Sequence, residues 1–378
     1  MKKICYVVTI PLTIKAFFIP QLQYLSMHGF DVTVVCSDDS KLQELLGERI
    51  HFVPVNIPRG ISIRGSILAI KKLKKFFKKE KFDLIQYSTP NAALYASIAS
   101  KKSGCKVRNY HLMGFRYLGA KGIGKVILKT IEKITCNNST SIECVSKSNM
   151  ELGIREKLFQ SDKATVVWNG STGGVDLFRF DFAKREEWRQ EIRAELGYSK
   201  NDFVYGFVGR ITRDKGINEL LEAFNELNGY DKLFLIGSIE NEETLNKELL
   251  KEAYSKNNVQ FHNPVSDIER YYAAIDVLVL PSHREGFGNV IIEAGAVGTP
   301  SIVSNIPGPI DTIEEGKTAL IVEMRDIESL KNAMKNIKKL DYKEMGIRAN
   351  KYVTQHFDSR RLCEAILFRK RELLGDQI

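Results

Sequence analysis

The chain has 378 residues and a formal net charge of +10; 43% of its residues are hydrophobic and 27% are charged. This length suits two domains better than one core. No apolar run approaches the roughly 20 residues that a helix needs to cross a bilayer, so the composition excludes a membrane-spanning helix and indicates a globular protein.

The first residues carry lysines before an apolar run, as a secretory signal does. Pro11 and Lys15 interrupt that run and no small-residue cleavage site follows, so a first buried strand is the better interpretation. The cysteines form no C-x-x-C pair, which favours reduced packing residues of a cytoplasmic protein over metal ligands or disulfides. They are Cys5, Cys36, Cys105, Cys136, Cys144 and Cys363.

Strand-like runs alternate with helical stretches from end to end, which predicts parallel sheets covered by helices. In the first half the predicted elements are the strand ICYVVTI, a helix Phe17–His28, the strands DVTVVCS and FDLIQY, a helix Ala92–Ser103 and the strand KVRNYHL. After Asn201 the pattern restarts with FVYGFVGRI, a helix Ile217–Leu227, KLFLIGS, a helix around Glu242–Lys256, VQFHN, a helix Ile268–Ala274 and DVLVLPS.

The restart predicts an α/β protein of two Rossmann-like, doubly wound domains that face each other across a cleft. The join is expected within Asn169–Trp188, where glycine and turn residues interrupt the pattern. The expected domains are residues 1–172 with a C-terminal helix at about 357–378, and residues 173–356. In open α/β sheets ligands bind at the carboxyl ends of the strands, so the site residues should follow strands.

The positive charge lies in the first half. Residues 1–175 hold 27 Lys and Arg against 12 Asp and Glu, and the remainder holds 29 against 34. The run Lys71–Lys81 and the series Lys121, Lys125, Lys129 and Lys133 are either solvated helix faces or a surface that adheres to anionic lipid. A nucleic-acid-binding protein is a further alternative, suggested by a pI near 9.1. It lacks a recognisable motif, and the acidic second half argues against it.

Two glycine-containing loops carry the candidate site. In the first, Gly209 allows a tight turn after a strand, and Arg210 and Lys215 place two cations beside the next helix, as a diphosphate site requires. A solvated basic loop is the alternative. In the second, Gly286 and Gly288 precede a helix expected to begin near Asn289, whose amides can bind phosphate or sugar oxygens.

Two glutamates flank the second loop. Glu285 precedes the glycine turn, while Glu293 lies on the second turn of the expected helix and can accept two hydrogen bonds from a ribose diol. Either residue alone suits a surface position. Both together, with the glycines between them, indicate a site that meets hydroxyl groups and cations.

These residues resemble a known family. The spacing from Glu285 to Glu293 is similar to the glutamate–seven residues–glutamate signature of family 4 retaining glycosyltransferases, which have the GT-B fold. FVGRITRDKGI, PSHREGFGNVIIEAGAVGTPSIVSN and NGSTGGVDLFRF extend the resemblance over most of the chain.

The resemblance implies roles for individual residues. Arg210 and Lys215, beside Gly209, would hold the donor diphosphate and act in catalysis, and Glu285 would contact the donor sugar. Glu293 would hold the ribose. The loop Asn263–Asp267 lies where the family contacts the nucleobase. The remaining donor-binding positions are Val265, Gly286, Phe287, Gly288, Asn289 and Val290.

One position departs from the family pattern. Where the family often has a histidine directly before a glycine, this chain has Met113, and His111 stands two residues earlier. Alternate strand residues share a face, so His111 either takes over the catalytic contact with the donor sugar or is an ordinary strand residue.

No Asp-x-Asp sequence occurs in the chain, so the usual carboxylate site for a divalent metal on the diphosphate is absent. We expect cations and a helix N-terminus to neutralise the leaving group, with no metal and no cofactor. The resemblance implies retention of anomeric configuration.

The sequence predicts a retaining glycosyltransferase that moves a sugar from a nucleotide sugar, UDP-N-acetylhexosamine, to a polyprenyl-diphosphate-linked oligosaccharide. Its expected partners are that donor, the lipid-linked acceptor and an anionic membrane surface, with no nucleic acid. Such an enzyme would build capsule or O-antigen polysaccharide in the cytoplasm, peripherally on the inner face of the cell membrane. The same fold acting on a soluble acceptor is the alternative.

Overall fold

The computed structural model describes residues 1–58, 60, 62–227 and 229–375. The chain forms two compact units. The first contains Met1–Gly174 and the C-terminal segment from Ser359 onward, and the second contains Val175–Asp358. From the sequence, the divisions are expected two residues earlier, after residues 172 and 356. The expected C-terminal helix runs to residue 378, and its last three residues lie outside the described part of the chain.

Each unit is built on one parallel sheet. The first sheet has the order β3-β2-β1-β4-β5-β6-β7 and the second β10-β9-β8-β11-β12-β13. Both orders reverse direction beside the first strand, which confirms the two doubly wound, Rossmann-like domains. The strands are β1 Lys2–Val7, β2 Phe30–Cys36, β3 Ile50–Pro54, β4 Leu84–Tyr87, β5 Val107–Leu112, β6 Ser141–Cys144, β7 Ala164–Thr165, β8 Val204–Val208, β9 Lys232–Ile236, β10 Val259–His262, β11 Val277–Leu280, β12 Ser301–Ser304 and β13 Ala319–Val322.

Helices connect the strands and cover the sheets. They are α1 Pro11–Phe17, α2 Ile19–Met27, α3 Leu42–Leu46, α4 Ile63–Glu80, α5 Pro90–Ser103, α6 Gly122–Asn138, α7 Lys147–Arg155, α8 Arg185–Glu195, α9 Ile217–Asn225, α10 Lys247–Ser255, α11 Ile268–Ala274, α12 Asn289–Ala296, α13 Ile327–Ile337, α14 Tyr342–His356 and α15 Ser359–Leu373.

The C-terminal helix α15 belongs to the first unit. Leu362, Ile366 and Leu367 pack into the same apolar cluster as residues of β1 and α2. Beside them Lys370 donates hydrogen bonds to both carboxylate oxygens of Glu143 on β6, at 2.8 and 2.7 Å, and both side chains are buried. A buried charge is tolerated when it is paired in this way, so the ion pair fixes where α15 lies on the sheet.

One predicted helix is shorter in the structure. The helix expected around Glu242–Lys256 is a 3-10 turn at Glu242–Thr244 followed by α10, with Leu245 and Asn246 extended between them. The Asn246 side chain accepts hydrogen bonds from the amides of Glu248 and Leu249, which makes it the N-cap of the helix.

The lysine-rich segment is the helix α4, whose apolar residues Leu73 and Phe77 are buried in the core of the first unit. The six cysteines are buried. None of the helices in the described residues is both long and apolar enough to cross a membrane.

Candidate functional site

The two candidate loops follow strands that lie side by side. β8 pairs in parallel with β11, so the loop at residues 209–216 and the loop at residues 281–288 emerge at the same carboxyl edge of the second sheet. The sequence predicts a site at such an edge, and the structure brings these two loops together there.

An ion pair joins the loops directly. Lys215 Nζ lies 2.5 Å from Glu285 Oε1, and both side chains are largely withdrawn from solvent. The hydroxyl of Ser282 donates a second hydrogen bond to the same oxygen, at 2.8 Å. Because both contacts fix Oε1, the orientation of the Glu285 carboxylate is set before any ligand binds.

A second set of hydrogen bonds joins the two loops at Asp214. Arg284 donates to Asp214 Oδ2 at 2.7 Å, and the amide of His283 donates to the Asp214 carbonyl at 2.9 Å. Thr212 donates to Oδ1 at 2.6 Å. Burial opposes ionisation of Asp214, but the Thr212 hydroxyl and Arg284 outweigh it and hold its pKa below the ordinary value. These hydrogen bonds position the turn that carries Lys215.

Close backbone contacts at two positions allow only glycine. Gly216 has φ +73°, and a Cβ there would lie 2.1 Å from the carbonyl oxygen of Pro281. Gly237, at the end of β9, has φ +154°, and a Cβ there would lie 1.8 Å from the carbonyl oxygen of Gly209. A larger residue at either place would push the loop carrying Arg210 and Lys215 out of position.

The glycine turn leads into α12, which begins at Asn289 as the sequence predicts. Gly288 caps it with φ +100°. The Phe287 ring is buried and packs edge-on against Phe357, with ring centroids 5.5 Å apart. This contact anchors the turn, while Gly286, Asn289 and Val290 remain half-buried beside the helix N-terminus.

Glu293 lies one turn further along α12. It accepts a hydrogen bond from the Tyr272 hydroxyl at 2.9 Å. Burial raises the pKa of this carboxyl above its ordinary value, and Tyr272 and Arg179 offset this only in part. A group that donates hydrogen bonds to the carboxylate, such as a ribose diol, would therefore relieve an existing penalty on the charged form.

The loop after β10 is held to the same part of the second unit. Arg179 donates to the carbonyl of Ser266 at 2.6 Å and to Glu269 at 2.9 Å. Val265, next to Ser266, is half-buried. The loop leads directly into α11, which carries Tyr272 and hence touches Glu293.

Arg210 is a predicted site residue that forms its ion pair outside the contact between Lys215 and Glu285. Its side chain is about half exposed and forms an ion pair with Glu240 at 3.1 Å. Such surface pairs contribute about 0–1 kcal/mol, so an anionic ligand can displace Glu240 at small cost.

His111 lies in the first unit, near the carboxyl end of β5. It is buried, its Nε2 is 3.2 Å from the Thr172 hydroxyl, and its ring packs edge-on against Phe18. Burial lowers its pKa to about 4, so the imidazole is neutral at physiological pH. It can exchange hydrogen bonds with a hydroxyl group there, but it adds no positive charge.

The described residues contain no group of three or more His, Cys, Asp or Glu side chains placed to hold a metal ion. The Lys and Arg residues within the two loops are Arg210, Arg213, Lys215 and Arg284.

Sequence reasoning missed the residues that position the candidate groups. Asp214 and Arg284 directly precede Lys215 and Glu285, and their opposite charges were a signal that the two loops pair. Tyr272 and Arg179 carry no comparable signal, because each contacts a residue of another element to which no sequence period connects it. Ser282 lies three residues before Glu285 in the same loop, and a serine in a loop does not by itself indicate this contact.

The fold is shared with solved glycosyltransferases. The chain superposes on sucrose-phosphate synthase from Thermosynechococcus elongatus with a TM-score of 0.81 at 19% identity, covering 100% of both chains. It superposes on Anabaena HepE, solved in complex with UDP, with a TM-score of 0.79 at 19% identity, covering 98% of this chain and 100% of that one. The two parallel-sheet domains are therefore those of the GT-B class.

Sequence comparisons give the family. Residues 188–354 match the model of the group 1 glycosyl transferases, and residues 3–146 match that of the glycosyl transferase 4-like proteins. The chain is 33% identical to the capsular polysaccharide biosynthesis glycosyltransferase CapM of Staphylococcus aureus over 92% of this chain and 91% of CapM. It is 28% identical to the UDP-Gal:α-D-GlcNAc-diphosphoundecaprenol α-1,3-galactosyltransferase of Escherichia coli, over 88% and 87%. The chain belongs to the family 4 glycosyltransferases.

Proposed function

We propose that this glycosyltransferase transfers a sugar from a UDP-sugar, with retention of configuration and without a metal, to a polyprenyl-diphosphate-linked oligosaccharide. The product would be a precursor of capsule or another surface polysaccharide. The transfer would take place at the cytoplasmic face of the membrane. UDP-N-acetylhexosamine is the donor that we propose first.

The observation that carries the proposal is the contact between Lys215 and Glu285 at the carboxyl edge of the second sheet. A lysine ammonium has three N–H donors, and Glu285 engages one of them. The others can bind oxygens of a diphosphate while the first still holds the carboxylate. One cation would then orient the group that meets the sugar and also neutralise the leaving group.

Further charge stabilisation would come from Arg210 and from α12. Exchange of Glu240 for a diphosphate would bring the Arg210 guanidinium onto the β-phosphate, where charge develops as the glycosidic bond breaks. The amides that open α12 point the positive end of the helix dipole at the same region. Fixed cations supply here what a bound divalent metal supplies in other transferases, which supports a metal-independent reaction.

The sugar and the nucleoside would be held by the two glutamates. Glu285, fixed by Lys215 and Ser282, would accept hydrogen bonds from sugar hydroxyls, and Glu293 would accept them from the ribose. The loop containing Val265, clamped by Arg179, would contact the base through its backbone. His111, neutral and hydrogen-bonded to Thr172, would act as a hydrogen-bond partner for sugar or acceptor.

The names of two relatives support the proposed lipid-linked acceptor. The E. coli relative is named for transfer to GlcNAc-diphosphoundecaprenol and the S. aureus relative for capsular polysaccharide biosynthesis. Both match along nearly their whole length, so the domain that would meet the acceptor is included in the similarity.

Thermal unfolding in the presence of single nucleotide sugars tests the donor. A ligand at one hundred times its Kd stabilises the folded state by about 2.7 kcal/mol, so the true donor should raise the Tm of the unit that binds it. The panel should contain UDP-GlcNAc, UDP-GalNAc, UDP-Gal and UDP-Glc, with ADP- and GDP-sugars as controls.

Transfer is then measured with the stabilising donor and two acceptors, a short polyprenyl-diphosphate sugar and the same sugar without its lipid diphosphate. Transfer to the lipid-linked acceptor with the α-anomeric product supports the proposal. Stabilisation by an ADP- or GDP-sugar alone would refute the UDP assignment, and equal transfer to the free sugar would refute the lipid-linked acceptor.

A further inference from the structure

The helix α6 exposes its apolar side. Ile123, Val126, Ile127 and Ile134 are exposed, and the first two are 79% and 65% accessible. At 100° per residue these four positions lie within about 100° of one another around the helix. No other helix in the described ranges exposes as many large apolar side chains.

The side of α6 that packs on the protein mixes apolar and polar residues, with Leu128 against the core of the first unit. Glu132, Thr135 and Cys136 are buried beneath the helix. The Tyr110 hydroxyl donates to Glu132 Oε1 at 2.7 Å, which ties the buried face to β5. The apolar face cannot turn inward without breaking this bond, so its exposure is a built-in property of the helix.

Lysines line one flank of the exposed apolar stripe. Lys125 and Lys133 are exposed, while Lys129 between them pairs with Glu156 at 2.7 Å. Glu132 is the sole acidic residue of α6 and is buried, so the solvent side of this helix carries positive charge. An apolar stripe beside lysines matches the headgroup region of an anionic bilayer, which presents apolar chains below negative charges.

The helix α6 also begins near the carboxyl edge of the first sheet. The chain runs from the carboxyl end of β5, which carries His111, through a 3-10 turn at Arg116–Gly119 into α6. Ile123 and Val126 lie in the first turns of the helix and are its most exposed apolar residues. The face is therefore most apolar at the end nearest the edge where ligands bind in doubly wound domains.

We infer that the face of α6 formed by Ile123, Val126, Ile127 and Ile134, flanked by Lys125 and Lys133, inserts into the headgroup region of an anionic lipid bilayer. This inference rests on the proposed function, since it supplies the surface that would hold the enzyme where a polyprenyl-linked acceptor is embedded. The helix α4 would contribute positive charge without inserting Leu73 or Phe77, because these two side chains are buried in the core.

The test uses the full chain and vesicles of phosphatidylcholine with or without phosphatidylglycerol at physiological ionic strength. Ile123→Gln/Val126→Gln/Ile127→Gln should lower the partition coefficient onto the anionic vesicles at least tenfold. The matched control is Ile67→Gln/Leu68→Gln, which removes exposed apolar side chains from α4 and should change partition less than twofold. Thermal unfolding with the donor confirms that each variant is folded.

Insertion has its own signature. Val126→Trp should show a blue-shifted emission on addition of anionic vesicles and quenching by lipids brominated along the acyl chain, relative to the unmodified chain with its Trp168 and Trp188. Unchanged emission together with unchanged partition of the triple variant would overturn the inference.

The result separates this inference from the proposed function. If the triple variant still binds vesicles and transfers normally to a lipid-linked acceptor, the function stands and the role of α6 is wrong. If the unmodified chain inserts as described but transfers to no lipid-linked acceptor, the α6 face stands and the function is wrong. A triple variant that loses self-association in sedimentation velocity without losing vesicle binding would assign the face to a second copy of the chain and overturn the inference.

Discussion

Lys215 and Glu285 are 70 residues apart in the chain, and Lys215 Nζ lies 2.5 Å from Glu285 Oε1. The two residues are predicted to serve different parts of the donor, the diphosphate and the sugar. Their contact means that the charge at the candidate site is balanced before a ligand arrives, and that a substitution of either residue also changes the other.

Replacement of Glu285 should therefore separate binding from turnover. Glu285→Ala removes the group that would orient the sugar, and we expect turnover to fall on the order of 10²-fold or more. Affinity for free UDP should persist or rise, because Lys215 loses its partner and gains freedom to bind phosphate. Steady-state kinetics and calorimetry with UDP measure the two effects. Near-normal turnover would remove Glu285 from the site.

Replacement of Glu293 should have the opposite effect, with the main loss in UDP affinity. Glu293→Ala removes the proposed acceptor for the ribose hydroxyls, and the loss in UDP affinity should be about 1–3 kcal/mol. Tyr272→Phe is the matched control, because it removes the hydroxyl that binds Glu293 but leaves the carboxylate in place. Calorimetry that finds the same UDP affinity in Glu293→Ala as in the unmodified chain would contradict the ribose assignment.

The periodic pattern predicted the layers of this protein well. α11 has the bounds expected from the sequence, because its largely apolar run lies between two clear strand patterns. The division of the segment 242–256 was missed, since it depends on the Asn246 side chain capping one particular turn. The residues of the candidate site follow strands, which sequence reveals. The partners Tyr272 and Arg179 lie elsewhere, since their contacts with Glu293 and Ser266 depend on packing that no short period encodes.

A buried carboxyl on α6 should make stability depend on pH. Glu132 is 6% exposed, and burial raises its pKa from 4.5 to about 7 despite the hydrogen bond from Tyr110. The folded state therefore holds this proton more tightly than the unfolded state. The resulting stability is fully present below about pH 4.5 and is lost as pH rises to about 7, by about 3 kcal/mol at most.

Glu132→Gln keeps an oxygen acceptor for Tyr110 and removes the ionisation. We expect the variant to lose less stability than the unmodified chain between pH 5 and pH 8, as measured by urea denaturation of both at each pH. Parallel pH profiles for the two proteins would show that Glu132 ionises equally easily in the folded and unfolded states.

We propose that Lys215, Arg210 and the N-terminus of α12 neutralise the diphosphate, and on that proposal transfer should need no metal. Transfer in excess EDTA should match transfer with added magnesium or manganese, measured with the same donor and acceptor. Activity that disappears on chelation and returns with the metal would show that these protein cations do not suffice for the leaving group.

The lysines of α4 should contribute to membrane adhesion through charge alone. The helix α4 carries Lys74, Lys75, Lys78 and Lys79. Its Leu73 and Phe77 are buried in the core, so these apolar side chains are not available to insert into a bilayer beside the lysines. Several attractions that act through solvent should add up at low salt and be screened as the Debye length falls from about 8 Å at physiological strength to about 3 Å at 1 M.

The protein should float with anionic vesicles at low salt and bind them far less at high salt. Lys74→Gln/Lys75→Gln/Lys78→Gln/Lys79→Gln should weaken flotation at low salt without reducing transfer to a short water-soluble acceptor. In the Ile123→Gln/Val126→Gln/Ile127→Gln variant, whatever binding remains should be the salt-sensitive part, because its lysines are intact. Flotation of the lysine variant that equals that of the unmodified chain at every salt concentration would assign the whole of the attraction to other surfaces.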